Sequence, residues 1–194
     1  MVDELDRGKR PLVFDESEPD GKALLAWWGE LQGYQGDSLE RMKYEGLKAG
    51  APGLRAELRR AGNEVEVVFC RGYQQLKWAL PTQRRDDSRL TAVARVLAWV
   101  KDLPEARLLN TSLPSCMGRR KENDETSLVG ELRFKRLLRI EDGQELADLL
   151  IRLLPLVQRT ANPLTLARAI WFWGDGNDRT RKDWANDYYQ ALLG

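Results

Sequence analysis

Residues 127–157 read SLVGELRFKRLLRIEDGQELADLLIRLLPLV, and this stretch decides the fold class. SLVGELRFKRLLRI, from Ser127 to Ile140, reads as one helix, its apolar residues recurring at helical spacing without the alternation of a half-buried strand. EDGQELADLLIRLLPLVQR is apolar almost all round, the pattern of a central helix. Pro155 is expected to kink it, because the ring removes one backbone hydrogen bond.

The helical pattern extends in both directions. Asn162-Pro163 reads as a cap followed by proline at the first helical position, and LTLARAIWFW then stops at Gly174. Asp178 is placed to cap the last helix, where Trp184, Tyr188 and Leu192 share a face. Towards the N-terminus, Leu24, Trp27, Trp28 and Leu31 fall at i, i+3, i+4 and i+7. Asp37 and Ser38 can cap a helix carrying Leu39, Met42 and Leu47. APGLRAELRRAG is a short helix ended by Gly62. NEVEVVFCRGYQQLKWAL is ambiguous, since VEVVF is β-branched; with no partner strand elsewhere, helix is the better reading. Leu90, Val93, Leu97 and Val100 mark an amphipathic helix capped by Asp87 or Ser88. Residues 104–127 form the longest irregular stretch, holding Pro104, Pro114, Gly118 and the run RRKENDE. The expectation is an all-α fold, a compact helical bundle of roughly eight to ten helices. Residues 1–20 read as an acidic, flexible tail and 21–194 as a single helical domain.

Composition narrows the chemistry. The 194 residues include no histidine, which excludes a Ser-His-Asp triad, a Cys-His dyad and a His-ligated metal. Cys70 and Cys116 form no CxxC pair, so a zinc ribbon is out. There is no Walker A loop and no GxSxG. No cofactor is expected. The N-terminus MVDELDRGKRPLVFDESEP lacks the apolar core of a signal peptide, and no run is long enough to span a bilayer. A reducing cytoplasm is the expected location. The 31 basic residues nearly balance 30 acidic ones. The balance is uneven along the chain: residues 1–20 hold seven carboxylates and three cations, which leaves a mildly basic body.

The cations are most ordered between Leu132 and Ile140. At about 100° per residue, Lys135, Arg139, Arg136 and Arg133 fall within an arc of about 160°. Leu137, Phe134 and Leu138 lie on the complementary arc. No carboxylate interrupts the cations, whereas a solvated helix face normally interleaves the two signs. Like charges on one arc cost stability unless an anion meets them. Arginine binds phosphate bidentately, so a nucleic-acid backbone is one candidate; acids on neighbouring helices are the other. Arg119, Arg120 and Lys121, then Arg55, Arg59 and Arg60, then Arg179, Arg181 and Lys182 form three further basic groups. Each reads equally as surface charge or as phosphate contact. The seven tryptophans sit mostly at apolar helix positions and read as core. One member each of the pairs Trp27-Trp28 and Trp171/Trp173 is free to serve an interface. DGND at 175–178 resembles the start of a calcium loop, but the downstream glutamate is missing and Arg179 takes a ligand position. It reads as a cap and turn.

The order of LRFKRLLR, a leucine-rich helix ending LLPLV, NPLTLARAIWFWG and RTRKDWANDYY resembles the CasB family, the small subunit of the type I-E CRISPR Cascade complex. WWGEL, LRAELRRA and SCMGRR occupy matching places upstream. The similarity is best over about residues 112–189 and patchy over 23–100. It implies an all-α protein without enzymatic activity. It implies two copies inside a crRNA-guided complex, among other Cascade subunits, with basic residues holding the crRNA and target DNA backbones and stabilising the R-loop. Neither a membrane nor a small-molecule substrate is implied. The family's basic positions fall on Arg60, Arg119, Arg133, Arg139 and Arg152. Two other readings remain: a helical scaffold whose cations meet acidic protein surfaces, and a metal-dependent nuclease built on Asp175, Asp178, Asp183 and Asp187.

Overall fold

The computed structural model describes residues 14–32, 52–80, 87–101, 111–121, 126–176 and 178–194. Among them the chain is all-α, with ten α-helices, one 3₁₀ turn and no strand beyond an isolated antiparallel bridge between Arg120 and Ser127. The expected helix from Leu39 to Gly50 lies outside the described residues. The chain divides into two compact units, Met1–Ala98 and Trp99–Gly194.

The first unit contains α1 (Pro19–Gln32), α2 (Pro52–Arg60), α3 (Glu64–Phe69), α4 (Arg71–Ala79) and α5 (Asp87–Trp99). Leu24, Trp27, Trp28 and Leu31 of α1 are all buried, as their spacing predicts. Both tryptophans of that pair point inward, so neither serves an interface. A buried indole needs an acceptor: Trp27 Nε1 donates to Gly72 O at 2.7 Å and Trp28 Nε1 to Leu97 O at 3.1 Å. NEVEVVF is helical, but the helix breaks at Cys70, whose extended backbone (φ −71°, ψ 130°) ends α3 and begins α4. Asn63 caps α3 by accepting from Glu66 N at 3.0 Å.

The expected amphipathic helix, α5, is instead buried all round from Leu90 to Ala98. Thr91 and Ala92, opposite Leu90 and Val93, are covered as well. The one charged residue within this span, Arg95, donates to Gly62 O at 3.3 Å. Conversely, the leucine-rich helix of the second unit is not central. Its α-helical part, α8 (Gly143–Leu153), buries Leu146, Ala147, Leu150 and Leu153 and exposes Arg152.

The second unit also holds α6 (Leu113–Gly118), α7 (Glu131–Leu138), a 3₁₀ turn (Leu154–Val157), α9 (Pro163–Trp171) and α10 (Arg179–Leu193). Helix α6 lies inside the stretch expected to be irregular. Ser112 caps it, accepting from Ser115 N at 3.3 Å, and Pro114 sits in its first turn, where no N–H is missed. Asn162 caps α9 as expected, accepting from Leu164 N and Thr165 N. Pro155 does more than kink: the α-helix stops at Leu153, the 3₁₀ turn follows, and Gln158 and Arg159 both adopt φ near +60°. Asp178 occupies the cap position of α10 with φ 51° but makes no side-chain cap. It pairs with Arg181 at 3.2 Å instead, which corrects the sequence expectation.

Tyr188 organises this unit. Its ring stacks on Phe134 with centroids 3.9 Å apart and planes 7° from parallel. Its hydroxyl donates to Val129 O at 2.7 Å and lies 2.9 Å from the Ser127 hydroxyl. Helix α6 approaches α10 so closely at Gly118 that a Cβ there would stand 2.3 Å from Tyr188 O.

Gly118→Ala is therefore expected to destabilise by about 1–3 kcal/mol, the cost of forcing volume into a packed contact. Gly143→Ala, with nothing within 4 Å of the added methyl, serves as control and should change stability little. Chemical denaturation of the two variants checks both.

Candidate nucleic-acid interface

Helix α7 is shorter than the sequence suggests. Gly130 stands at its cap position and Arg139 ends it in a helical conformation (φ −88°, ψ −11°), so the angular order of its side chains holds throughout. Phe134 and Leu137 are buried beneath it. Arg133, Lys135, Arg136 and Arg139 are all exposed, so the sequence-derived cationic arc faces solvent.

The four cations are not equivalent. Lys135 Nζ lies 2.7 Å from Glu131 Oε1, and Tyr189 Oη donates to the same oxygen at 2.7 Å. The hydrogen bond from Lys135, then that from Tyr189, holds the Glu131 carboxyl below the ordinary glutamate range. Glu131 in turn raises the Lys135 ammonium above its usual value. Lys135 is thus locally neutralised. Among the described residues, no side-chain hydrogen bond or ion pair engages Arg133, Arg136 or Arg139.

One residue of this face escaped the sequence reading. Leu132 is 85% exposed. By the same step of about 100° it falls between Arg139 and Arg136, in the middle of the cations. Its angle was computable from the sequence, but a leucine beside Leu137 and Leu138 reads as core until burial is known.

The segment Arg119–Lys121 joins this helix through the backbone. Lys121 N donates to Thr126 O at 3.0 Å, Leu128 N to Arg119 O at 2.8 Å and Val129 N to Met117 O at 3.0 Å. All three cations are exposed, on an arm hydrogen-bonded to the segment that leads into α7. Arg119 also acts inward: burial pushes the Cys116 thiol up, and the Arg119 charge partly opposes that.

The other sequence candidates divide by what they touch. Arg59 Nε donates to Ala98 O at 2.8 Å, and Arg55 Nε reaches the same carbonyl at 3.0 Å. These two, one turn apart on α2, satisfy the C-terminal end of α5, where a cation is favoured. Arg60 is exposed on α2 and Arg152 on α8. Arg179 lies 3.9 Å from Asp183 at the surface. Arg181 is only 17% exposed, pairs with Asp178 and lies 6.0 Å over the Trp173 ring. Lys182 is exposed. Trp171 and Trp173 are both buried, so the second tryptophan pair also leaves no member for an interface. The exposed tryptophan is Trp78, at 71%.

Asp175, Asp183 and Asp187 do share a cavity of about 470 Å³, lined also by Arg168, Arg179 and Trp184. Asp178 does not line it. Among the described residues, no group of three or more His, Cys, Asp or Glu is placed to hold a metal ion. No described helix is long and apolar enough to cross a membrane.

A family model described as CRISPR-associated protein Cse2 matches residues 54–189. Neither a curated protein nor a solved structure matches the chain.

The Glu131 cluster makes a pH prediction. A carboxyl whose folded pKa is lowered contributes stability that is present above its unfolded pKa and lost as pH falls through the folded value. NMR titration should place the Glu131 midpoint below that of an ordinary solvent-exposed glutamate. Lys135→Met should move that midpoint upward, and Tyr189→Phe should do so by less.

Proposed function

The chain belongs to the CRISPR-associated Cse2 family, and on that premise we propose that it holds nucleic-acid backbone within a Cascade surveillance complex through the exposed face of α7. Membership makes it a structural subunit that associates with the other Cascade subunits. The finer role belongs to the arginines. Arg133, Arg136 and Arg139 project from one helix face with no anion among the described residues, and this single observation carries the proposal. A phosphate backbone supplies closely spaced anions without requiring a base to be read. Arg119, Arg120 and Lys121, on the arm leading into α7, extend the same charge. Leu132, among the arginines, meets the sugar or base surface that phosphates alone do not offer.

Such contacts are sufficient for the task. Forming an R-loop exchanges one duplex for another of similar stability, so modest backbone contacts shift the balance. Affinity of the isolated subunit is low, and its effect comes from placement in the assembly beside crRNA, target DNA and a second copy of itself. It acts without catalysis and in the cytoplasm, where such a target is met. Arg60, Arg152 and Lys182, exposed but on other helices, are additional backbone contacts; Arg59, Arg179 and Arg181 give part of their charge to their own fold.

A scaffold reading also draws on one observation. Leu132 at 85% exposure fits an apolar protein contact, with the arginines meeting acidic residues of a neighbouring subunit. The two readings differ in the behaviour of one variant. Arg133→Ala/Arg136→Ala/Arg139→Ala should fold normally, because none of the three side chains is buried. For backbone binding, the assembled complex retains target DNA more weakly. The salt dependence of log K for the free protein becomes shallower by about two to three. Full retention by a folded triple variant would refute the proposal; failure of that variant to join the complex would favour the scaffold. Glu131→Gln releases Lys135 and is expected to steepen the same salt slope by about one.

A further inference from the structure

Three of the six large apolar side chains that stand exposed among the described residues lie within fifteen positions of one another: Val65 at 64%, Phe69 at 81% and Trp78 at 71%. Their exposure has a local cause. Val67 is buried and fixes the inward side of α3, so Val65 and Phe69, two positions on either side and one turn apart, must face out. On α4, Tyr73 and Leu76 take the inward side. Gln74 Nε2 donates to Val68 O at 2.6 Å and ties the opposite face of α4 to the end of α3. Trp78 follows Gln74 by one turn on that face. Phe69 thus stands exposed at the α3–α4 corner, with Val65 one turn before it on α3 and Trp78 on the outward face of α4.

The electrostatics beside this corner are opposite to those of α7. Phe69 lines a shallow pocket of about 300 Å³ with Glu57, Glu66, Arg60 and Cys70. The charges of Glu57 and Glu66 add to burial in pushing the Cys70 thiol up, so the negative field of both carboxylates reaches into the pocket. Two carboxylates stand against one cation, Arg60, at this pocket. A protein segment with apolar side chains and a neighbouring lysine or arginine would satisfy both the aromatics and the carboxylates.

We propose that the Val65–Phe69–Trp78 face is a protein-docking surface that receives an amphipathic, basic segment of a neighbouring Cascade subunit, the aromatics giving contact area and Glu57 and Glu66 receiving the cation. This separates two functions on the chain: arginines of α7 for nucleic acid, aromatics of α3–α4 for assembly. Large aromatic side chains dominate binding energy at such contacts.

The test uses the full-length chain and a probe made of the other subunits of its own complex, assembled without it. Phe69→Ser/Trp78→Ser removes two exposed side chains and leaves the core untouched; circular dichroism verifies the fold. This variant should bind the probe about tenfold more weakly or worse. Glu57→Lys should also weaken binding, with the loss diminishing at high salt. Nucleic-acid affinity of the free Phe69→Ser/Trp78→Ser variant should equal that of the parent chain, so failure here is distinguishable from failure of the α7 proposal. Unchanged assembly of the folded double variant overturns the inference. So does a parent chain that self-associates in sedimentation velocity, with the double variant abolishing self-association while still joining the complex, because the occupant is then a second copy.

Discussion

A phenol can be buried completely only if its hydroxyl keeps a hydrogen-bond partner, and Tyr188 meets that condition at one place in the second unit. Its acceptor is the Val129 carbonyl, just ahead of α7. Its ring lies against Phe134, the residue that fixes which face of α7 turns inward. Its own backbone carbonyl excludes any side chain larger than hydrogen at Gly118, which holds α6 against α10. The rotation of α7, and with it the outward direction of three arginines, follows from these three contacts. Ser127 supports them by sharing the Val129 carbonyl at 2.8 Å.

Electrostatic selection within α7 is equally local. Glu131 stands one turn before Lys135 and draws it into an ion pair. Tyr189, adjacent to the organising tyrosine, donates to the same carboxylate. The arc therefore presents arginine, whose planar guanidinium suits phosphate, while its lysine is held back. In the first unit arginine serves the opposite purpose. Arg55 and Arg59 spend their Nε donors on one carbonyl at the end of α5, and Arg95 reaches Gly62 O. The same residue type thus ends a helix in one unit and covers a solvent face in the other, the difference being whether a backbone acceptor lies within reach.

Helix class, the cap at Asn162 and the apolar spacing of α1 were legible because each rests on neighbours within a few residues. The family, too, was recognisable from ordered helical patterns over the C-terminal half, and a family model covers residues 54–189. Helix α6 was missed because six residues carry too little periodicity to stand out among prolines. The roles of α5 and α8 were exchanged for a related reason. Periodicity reports the apolar content of a helix, whereas centrality depends on how many neighbours cover it. Alanine and Thr91 on α5 are buried by coverage, not by hydrophobicity.

By itself, the sequence determined that this chain is helical, that it lacks histidine chemistry and that α7 carries a cationic arc. These follow from residue type and from spacing along one helix. Tertiary structure alone decided which cations remain available. Glu131 and Tyr189 meet although 58 positions separate them, and Arg59 finds its carbonyl 39 positions away. It also decided that Trp78 and Leu132 stay in solvent while the tryptophans at 171 and 173 do not. Exposure and pairing belong to groups brought together from distant parts of the chain, and no local pattern encodes those meetings.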